Sequence, residues 1–322
     1  MSDPRETFLT GLNFSEIEVR EYPEIAFLCG GPPNAMVDRE TSHQYFPSVR
    51  SYVSKFLTAK YPHIRYQNAE DVKDWNSYSA YDDLIEFERD IAHLCKAIVL
   101  FVESPGSLAE LGSFAIIPEI TEKLIIFVHA DHSSQSSFIS LGPLKRIDDA
   151  RAGRIHHITW SDQTVSIDGQ AHDVIDLRTF EKWSDYTCTE IESFLKTKHR
   201  ANHSPDEYDR TKEALFIHDV IQLFKAVEFD EIRAYFRLVS HEIERKQIQR
   251  SLFCLEKLGL IRPVSRGAKT YFISEEPDSS RYLVLPVGKD TARLAMQLDE
   301  YYRHRSQLAR REAIDQLSRG RE

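Results

Sequence analysis

Residues 97–115, AIVLFVESPGSLAELGSFA, decide the fold of this chain. The apolar run at 98–102 stops at turn residues 103–106, and good helix formers follow from Ser107. This pattern predicts a buried strand, a tight turn and the start of a helix. Ligands of open parallel sheets bind outside the carboxyl ends of the strands, so the turn is expected to face a crevice. Glu110 is predicted to lie in the first turn of the helix, beside that crevice.

The length and composition of the chain bound its class. Its 322 residues predict two domains. The sequence contains no apolar run near the ~20 residues of a membrane span, and its N-terminus lacks the pattern of a secretory signal. Its four scattered cysteines form no CxxC pair, which argues against a disulfide framework and a metal site. We therefore expect a cytoplasmic protein with no metal and no membrane contact.

Charge is distributed unevenly along the chain. Residues 1–200 have a net charge of −11, whereas residues 201–322 have a net charge of +1. Within the second part, residues 233–269 have a net charge of +6. This asymmetry predicts that the two domains have different partners.

Strands that alternate with helices predict the architecture of the first domain, which we assign to residues 1–200. The main predicted buried strands lie at residues 25–29, 98–102 and 123–128, and helices at 46–59 and 179–198. The predicted fold class is α/β, a mainly parallel sheet in a three-layer sandwich. Residues 131–140 are expected to form a polar loop over the site.

The polar stretch 199–206 separates this domain from a part with a different pattern. Predicted helices at 208–224, 230–238 and 241–258 are followed by hairpin strands at 260–264 and 269–273. Ser240 is a candidate N-cap and Gly259 a left-handed C-cap of the third helix. This order predicts a winged-helix domain over residues 207–285. Residues 286–322 are expected to form a helical tail with an Arg-rich end, for oligomerisation or docking.

Side chains near the predicted crevice are candidates for substrate binding. Gly30 and Gly31 follow the first strand and would admit a ligand close to the backbone, or would only form a turn. Arg50 could clamp a phosphate, or could be a solvated surface residue. Glu88 lies at the edge of an apolar helix face, where it could form an ion pair or take part in function.

Glu110 is the main candidate for a catalytic residue. Backbone amides at Ser104 to Leu108 can hold a sugar hydroxyl or a phosphate, which makes Ser104, Gly106 and Ser107 candidate binding residues. A carboxylate there could attack an anomeric carbon, or stabilise the oxocarbenium ion formed when an N-glycosidic bond breaks. The alternative is that Glu110 only caps its helix.

The third helix of the second domain has a basic outer face. That face is predicted to carry Lys246, Gln249, Arg250, Phe253 and Lys257, with Arg266 and Lys269 at the tip of the wing. Its basic and polar side chains could contact phosphates and base edges of nucleic acid. The alternative is a solvated face or a protein-docking surface.

The central motif resembles that of a known superfamily. The segments FLCGG, DLIEFERDIAHLCKAIVLFVE and ESPGSLAELGSFA together resemble the nucleoside 2-deoxyribosyltransferase-like superfamily. A Gly-Thr-Ala-x-Glu-x-Gly type motif carries the nucleophilic glutamate of that superfamily, and residues 106–112, GSLAELG, match it. The resemblance assigns the nucleophile to Glu110. The chain is most similar to the branch of bacterial retron effectors, in which a C-terminal winged helix follows this domain.

This resemblance implies a toxic effector of anti-phage defence. It implies an N-glycosidase that cleaves the nicotinamide–ribose bond of NAD or a related nucleotide, with NAD as substrate rather than cofactor. It also implies control by the retron reverse transcriptase and its multicopy single-stranded DNA (msDNA), which derives from a noncoding RNA. The implied assembly is a homo-oligomer or filament.

The match has one departure. Deoxyribosyltransferases have an aspartate where this chain has Ser104, which argues against base exchange between deoxynucleosides. Another aspartate of the family could correspond to Asp83, a further candidate for substrate binding. Two alternative functions remain: a non-enzymatic, nucleotide-sensing DNA-binding regulator, and a nucleoside deoxyribosyltransferase of salvage.

Overall fold

The chain folds into two compact units with mixed α/β structure. This computed structural model describes residues 2–62, 64–72, 81–133, 136–150, 154–197, 205–275, 281–285, 289–304 and 307–319. The sheet unit comprises Pro23–Lys73 and Ile85–Ser204. The C-terminal unit comprises Met1–Tyr22, Asp74–Leu84 and Pro205–Glu322. Each unit is described by itself below.

Strands and helices are numbered in chain order. The strands are β1 (Glu18–Val19), β2 (Ile25–Cys29), β3 (Met36–Val37), β4 (Gln44–Tyr45), β5 (Arg65–Asn68), β6 (Ala97–Val102), β7 (Leu124–His129), β8 (Arg154–Ile158), β9 (Asp162–Ile167), β10 (Gln170–Ile175), β11 (Val227–Glu228), β12 (Ile261–Arg266), β13 (Lys269–Ser274) and β14 (Leu283–Val284). The helices are α1 (Pro4–Leu9), α2 (Val49–Lys60), α3 (Leu84–Leu94), α4 (Pro105–Phe114), α5 (Pro118–Thr121), α6 (Lys145–Ala150), α7 (Leu177–Lys196), α8 (Pro205–Phe224), α9 (Phe229–Leu238), α10 (Arg245–Lys257), α11 (Thr291–Tyr302) and α12 (Leu308–Arg319).

The sheet unit is built on a five-stranded parallel sheet, as the sequence predicted. Its strand order is β5-β2-β6-β7-β8. The chain leaves β2 for β5 at one edge and then returns to β6 on the other side of β2. The order therefore reverses between β2 and β6, which is the topological switch point where open α/β sheets bind ligands.

Helices cover the sheet because its strands are apolar on both sides. Strands β2, β6 and β7 are buried almost throughout. Helices α2 and α7 pack on one face, where Val53 and Phe180 join Val99 and Phe127 in the core. Because parallel crossovers are right-handed, α3 and α4 belong on the opposite face.

Helix α4 begins earlier than the sequence predicted. Ser104 is its N-cap, and Pro105 occupies the first helical position. The Ser104 hydroxyl accepts a hydrogen bond from the backbone N–H of Ser107, and the Ser107 hydroxyl accepts one from the N–H of Ser104. This reciprocal capping box fixes the start of the helix. Glu110 consequently lies in the second turn rather than the first, and the proposal that it only caps the helix is wrong.

The segment predicted as a polar loop at 131–140 is partly helical. A 3-10 turn spans Ala130–Ser133, and a π-helical turn at Ser140–Leu144 leads into α6. Phe138, which lies between these two turns, is 86% exposed. Residues 134–135 of the predicted loop lie outside the described residues.

The C-terminal unit places α8, α9 and α10 around a three-stranded sheet of order β11-β13-β12. The predicted left-handed cap is confirmed, because Gly259 has φ +63° just after α10. The predicted N-cap is wrong: Glu244 precedes the first turn of α10, whereas Ser240 has φ +58°. That positive φ takes Ser240 out of the extended conformation typical of an N-cap.

The N-terminal residues belong to the C-terminal unit, which differs from the predicted first domain of residues 1–200. The ring of Phe14 lies 5.7 Å from the rings of both Phe216 and Phe236. Arg5 forms an ion pair with Glu231 at 2.8 Å. These contacts join chain segments more than 200 residues apart, and the local pattern of residues 1–22 gave no sign of them.

The end of the chain is also packed within this unit. Arg310 of α12 is buried and forms an ion pair with Glu231 at 2.6 Å. The predicted Arg-rich arm therefore contributes this arginine to a core, while Arg311 beside it is exposed.

Candidate functional site

Glu103 connects the end of β6 to the start of α2. Its carboxylate accepts hydrogen bonds from the backbone N–H groups of Gly31 (3.0 Å), Val49 (2.6 Å) and Arg50 (3.1 Å). Burial raises the pKa of Glu103, and the three backbone hydrogen bonds oppose that rise. All three partners are donors, so the site is built for the ionised form. Glu103 is thus a structural anion at the N-terminus of a helix.

Gly30 and Gly31 are required by close packing at the switch point. A Cβ atom on Gly31 would lie 2.7 Å from the Cβ of Ser48. A Cβ atom on Gly30 would lie 3.0 Å from both the Glu103 carboxylate and the Phe101 Cβ. The glycines therefore let β2 meet α2 and Glu103, and neither leaves open space for a ligand at its own Cα.

Arg50 is neither a surface residue nor a free phosphate clamp. Its side chain is fully buried and forms a bidentate pair with Glu70, with both N···O distances at 2.6 Å. The guanidinium also donates to the carbonyl oxygens of Leu28 (3.1 Å) and Gly31. Arg50, one of two arginines that could have paired with Glu88 (the other is Arg89), therefore pairs with Glu70.

Glu110 has the chemical surroundings of a reactive carboxylate. Its Oε2 atom is buried and has no hydrogen-bond partner in the described part of the chain. Burial raises the pKa of Glu110 to about 7, and repulsion from Glu88 adds to the rise, while Arg50 opposes it. A buried oxygen that bonds nothing in the fold is costly, and such groups are candidates for binding or chemistry.

Glu88 is the second member of the same electrostatic cluster. Burial, followed by repulsion from Glu70, raises its pKa to about 7. Cys29 at the end of β2 is also buried, and its pKa is raised by burial and by the negative charges of Glu110 and Glu88. We call Glu70, Glu88 and Glu110, with Arg50 and Cys29, the carboxylate cluster. It joins side chains of α2, α3 and α4 with the carboxyl end of β2.

A cavity of about 430 Å³ opens at the carboxyl ends of β6, β7 and β8. Its lining includes Ser104, His129, His132, Trp160 and Asp162. The buried Nδ1 atom of His132 has no hydrogen-bond partner within the described residues. The volume is in the usual range for small-molecule sites, and the lining combines an aromatic ring with polar groups. Of the predicted residues, the cavity contains Ser104; the described lining does not include Glu110.

The other predicted residues near Glu110 have separate places. The Ser107 side chain is fully buried and serves the cap of α4, where its hydroxyl donates to the Ser104 carbonyl oxygen at 2.9 Å. Gly106 is exposed in the first turn of α4. Asp83 is exposed and belongs to the C-terminal unit, whereas the residues of the carboxylate cluster belong to the sheet unit.

The predicted basic face of α10 is only partly exposed. Gln249 is exposed, but Arg250 and Phe253 are 8% and 2% exposed. The prediction that Arg250 and Phe253 are exposed is wrong, because the ring of Tyr81 packs against both of their side chains. Lys246 forms an ion pair with Asp82 at 2.8 Å.

The remaining basic candidates lie at the end of α10 and on the hairpin. Lys257 lies over the ring of Phe253. On the hairpin, Lys269 forms an ion pair with Glu228 at 2.7 Å. Arg266 donates to the carbonyl oxygen of Ser265. These contacts are at the surface, where phosphate groups could compete for the cations.

Comparison with known proteins places the chain in a family. A model of the family described as "STM3845 retron effector protein" matches residues 47–263, about two thirds of the chain. The chain belongs to this family. The match covers the carboxylate cluster of this retron effector except Cys29, and continues through α10.

Two relatives of this retron effector come from Escherichia coli. The "Retron Ec73 putative ribosyltransferase/DNA-binding protein" is 28% identical over 153 residues, 47% of this chain and 48% of the relative. The "Retron Ec86 putative ribosyltransferase/DNA-binding protein" is 35% identical over 120 residues, 37% of this chain and 36% of the relative. The matches thus span about half and about a third of these two relatives.

Two kinds of feature are absent from the described residues of this retron effector. No described helix is long and apolar enough to cross a membrane. The described residues also hold no group of three or more side chains suited to bind a metal ion.

Sequence reasoning missed Glu70, Glu103 and Cys29 of the effector. Glu103 and Cys29 both stand at the ends of buried strands, which was a usable signal. Glu70 gave none, because it follows a short strand in a polar segment and reaches Arg50 only through the tertiary fold.

Proposed function

We propose that this protein is the toxic effector of a bacterial retron and cleaves the N-glycosidic bond of NAD or a related nucleotide. The observation that carries the proposal is the carboxylate of Glu110, with a buried oxygen that lacks a partner among the described residues. Membership of the retron effector family supports the defence role. The names of both relatives, which include ribosyltransferase, support chemistry at a ribose.

In the proposed reaction the Glu110 carboxylate attacks C1′ of the ribose, or stabilises an oxocarbenium ion there. The bond from C1′ to the pyridinium nitrogen breaks, and its electron pair neutralises the nitrogen, so nicotinamide leaves without protonation. Water then adds to C1′ and releases a proton, and ADP-ribose forms. On the covalent route this addition also breaks the bond from C1′ to the Glu110 oxygen, and its electron pair returns to the carboxylate. Negative charge close to C1′ stabilises the developing cation, which is the main task of the carboxylate.

The carboxylate cluster supplies the environment for this step. A pKa of about 7 leaves Glu110 partly ionised at neutral pH. Repulsion from Glu88 makes both carboxylates more receptive to a neighbouring positive charge. Arg50 is held by Glu70, and its charge limits the repulsion. NAD enters here as substrate, and no cofactor is needed for the cleavage.

The substrate is expected to lie along the carboxyl end of the sheet, from the switch point between β2 and β6 to the cavity at β6, β7 and β8. The cavity beside Ser104 has the size and the aromatic and polar lining for part of a nucleotide. Glycosyl transfer between deoxynucleosides remains a weaker alternative, because Ser104 provides a hydroxyl where deoxyribosyltransferases have an aspartate.

The C-terminal unit is assigned to nucleic-acid control. Its order of helices and hairpin fits a winged helix. The names of both relatives also include DNA-binding. We propose that this unit contacts the retron msDNA and reverse transcriptase, and that the complex is a homo-oligomer or filament in the cytoplasm.

The first test measures nicotinamide release. Full-length protein, alone and with the reverse transcriptase and msDNA, is incubated with NAD and the products are separated by chromatography. Glu110→Gln keeps the side-chain size, and removal of its charge is expected to lower turnover about 10³-fold or more. Glu24→Gln is the control, since Glu24 is an exposed glutamate paired with Lys96 in the same unit.

Each outcome distinguishes the candidate functions. Equal turnover by Glu110→Gln and the native protein would remove Glu110 from the reaction. No product from NAD, ATP or deoxynucleosides, together with sequence-specific duplex binding, would support the non-enzymatic regulator. Exchange of bases between two deoxynucleosides would support the salvage enzyme.

A further inference from the structure

The outer face of α10 is occupied by a short segment of the chain itself. Tyr81 belongs to the C-terminal unit and is only 3% exposed. Its hydroxyl lies 3.0 Å from the Cys254 sulfur, and its ring centroid lies 6.1 Å from that of Phe253. The Arg250 guanidinium lies over the same ring, 4.9 Å from the centroid. Tyr81 thus contacts both a cation and a second aromatic ring.

The next residue adds a negative charge to this contact. The Asp82 carboxylate accepts a hydrogen bond from Lys246 at 2.8 Å and lies 3.9 Å from an Arg250 nitrogen. The hydrogen bond and the charge of Lys246 lower the pKa of Asp82. Asp82 stays 75% exposed, whereas the Arg250 side chain is 10% exposed. The Asp82 carboxylate is therefore open to solvent, whereas the Tyr81 ring is buried.

Tyr81 and Asp82 place an aromatic ring next to a negative charge. A nucleotide presents the same two groups, an aromatic base and a negatively charged phosphate. Unpaired bases of single strands stack on aromatic and guanidinium groups, while lysine and arginine neutralise their phosphates. Lys246, Arg250 and Phe253 offer these partners along one side of α10. A base in a duplex is already stacked on both faces and could not stack in place of the Tyr81 ring against Arg250 and Phe253.

We propose that the α10 face of Lys246, Arg250 and Phe253 binds a single-stranded nucleic acid, and that Tyr81–Asp82 occupies it as an internal substitute when the strand is absent. The strand would place a base at the position of the Tyr81 ring and a phosphate at the position of the Asp82 carboxylate. This inference rests on the proposed nucleic-acid control of the effector.

Exchange of Tyr81–Asp82 for a nucleic-acid strand has a consequence for the helix that follows these residues in the chain. Helix α3 begins at Leu84, two residues after Asp82, and carries Glu88 of the carboxylate cluster. Release of Tyr81–Asp82 from α10 removes the anchor just before this helix. Binding of a strand at α10 is thereby coupled to the segment that leads into the cluster.

The test compares two aspartates that both pair with α10. Affinity of the full-length protein for a fluorescein-labelled single-stranded DNA is measured by anisotropy at fixed salt. Asp82→Asn removes the negative charge of the internal competitor, although the Tyr81 ring remains, and is expected to tighten binding about two- to fivefold, the range of an exposed ion pair. Asp230→Asn is the matched control, because exposed Asp230 lies 3.7 Å from Arg245 of the same helix.

Both variants change the net charge by the same amount, so a general electrostatic effect would tighten both equally. Tightening confined to Asp82→Asn supports the proposal, and equal tightening overturns it. Hydrogen exchange at residues 81–84 is expected to rise when the oligonucleotide is added. Unchanged exchange at saturating oligonucleotide would also overturn it.

A third variant distinguishes this proposal from the assigned function. Lys246→Ala is expected to weaken binding of the oligonucleotide. Weaker binding by Lys246→Ala without tightening by Asp82→Asn would keep nucleic-acid binding and reject the internal substitute. Unchanged binding by Lys246→Ala would reject the α10 face itself. Neither result bears on nicotinamide release, which is measured separately.

Discussion

Glu231 in the C-terminal unit and Glu110 in the sheet unit are both partly buried glutamates, but their partners differ. Glu231 receives Arg5 at 2.8 Å and Arg310 at 2.6 Å. Burial alone would raise its pKa, but the hydrogen bonds and charges of the two arginines hold it below the usual value. Glu110 has a buried oxygen with no such partner among the residues described, and its pKa rises to about 7.

This difference distinguishes a buried carboxylate with a structural role from one with a role in binding or reaction. A carboxylate that two arginines neutralise stabilises the packing of distant segments, here the first and last helices against α9. A carboxylate left uncompensated lowers the stability of the fold and is retained where it binds or reacts. Glu103, in the same sheet unit as Glu110, is also structural although burial raises its pKa, because three backbone N–H groups donate hydrogen bonds to its carboxylate.

The largest expected effect concerns the compensated pair. Arg310→Met keeps the apolar stem but removes the guanidinium, which also lies over the rings of Tyr271 and Tyr302. Breaking one partner of a buried ion pair costs about 3–5 kcal/mol of unfolding free energy. Urea unfolding of the full chain measures it. Exposed Arg311→Met on the same helix is the control, with an expected change within about 0.5 kcal/mol. Equal effects of the two variants would break the comparison.

A second pair of substitutions contrasts two glutamates of the sheet unit. Glu103→Gln leaves a backbone N–H without its acceptor and is expected to destabilise by about 1–3 kcal/mol. Glu110→Gln removes an uncompensated charge and is expected to stabilise by about 1–2 kcal/mol at pH 8. Thermal unfolding at pH 8 gives both values. Destabilisation by both variants would show that Glu110 is structural as well.

The pH dependence of the Glu110→Gln effect has a defined sign. The folded-state pKa of about 7 lies above the ordinary value of 4.5, so the folded state retains a proton that the unfolded state has lost. Ionisation of Glu110 therefore lowers the stability of the native protein as pH rises from about 4.5 to about 7, and the Gln variant lacks this contribution while it keeps that of Glu88. Below pH 4.5 the two proteins should converge. A stability difference independent of pH would assign the effect to packing rather than to charge.

The smallest expected effect is a shift in the pH–rate profile. Nicotinamide release should rise with pH through about 7, as Glu110 ionises. Glu88→Gln removes a repelling charge and should move that midpoint to lower pH. Glu86→Gln, on the same helix, is the control and should leave the midpoint in place. If Glu88→Gln left the midpoint unchanged, the charge of Glu88 would have no measurable effect on the pKa of Glu110.

Local pattern was sufficient for most of the regular structure. The apolar runs at 25–29 and 98–102 form β2 and β6, the amphipathic helix at 179–198 corresponds to α7, and Gly259 ends α10 as expected. These features depend on residues close in sequence, because periodicity, turn residues and caps act within a few positions. The motif around Glu110 was likewise visible in one short stretch.

The contacts of individual side chains were decided by the tertiary structure. Arg50 was expected as a phosphate clamp or a surface residue, yet the fold buries it against Glu70. The exposed face predicted for α10 is covered by Tyr81, more than 160 residues away in sequence. Such pairings arise when distant segments pack, so no periodicity records them.

The sequence by itself thus determined the parallel sheet, the motif of Glu110 and the change of pattern near residue 200. Only the tertiary structure decided that Glu103 is satisfied by backbone amides while the Oε2 atom of Glu110 is left without a partner among the described residues. Both glutamates follow β6, and the local sequence does not record which hydrogen-bond donors reach each carboxylate. Their pKa values and roles depend on burial and on which donors the rest of the fold brings to them.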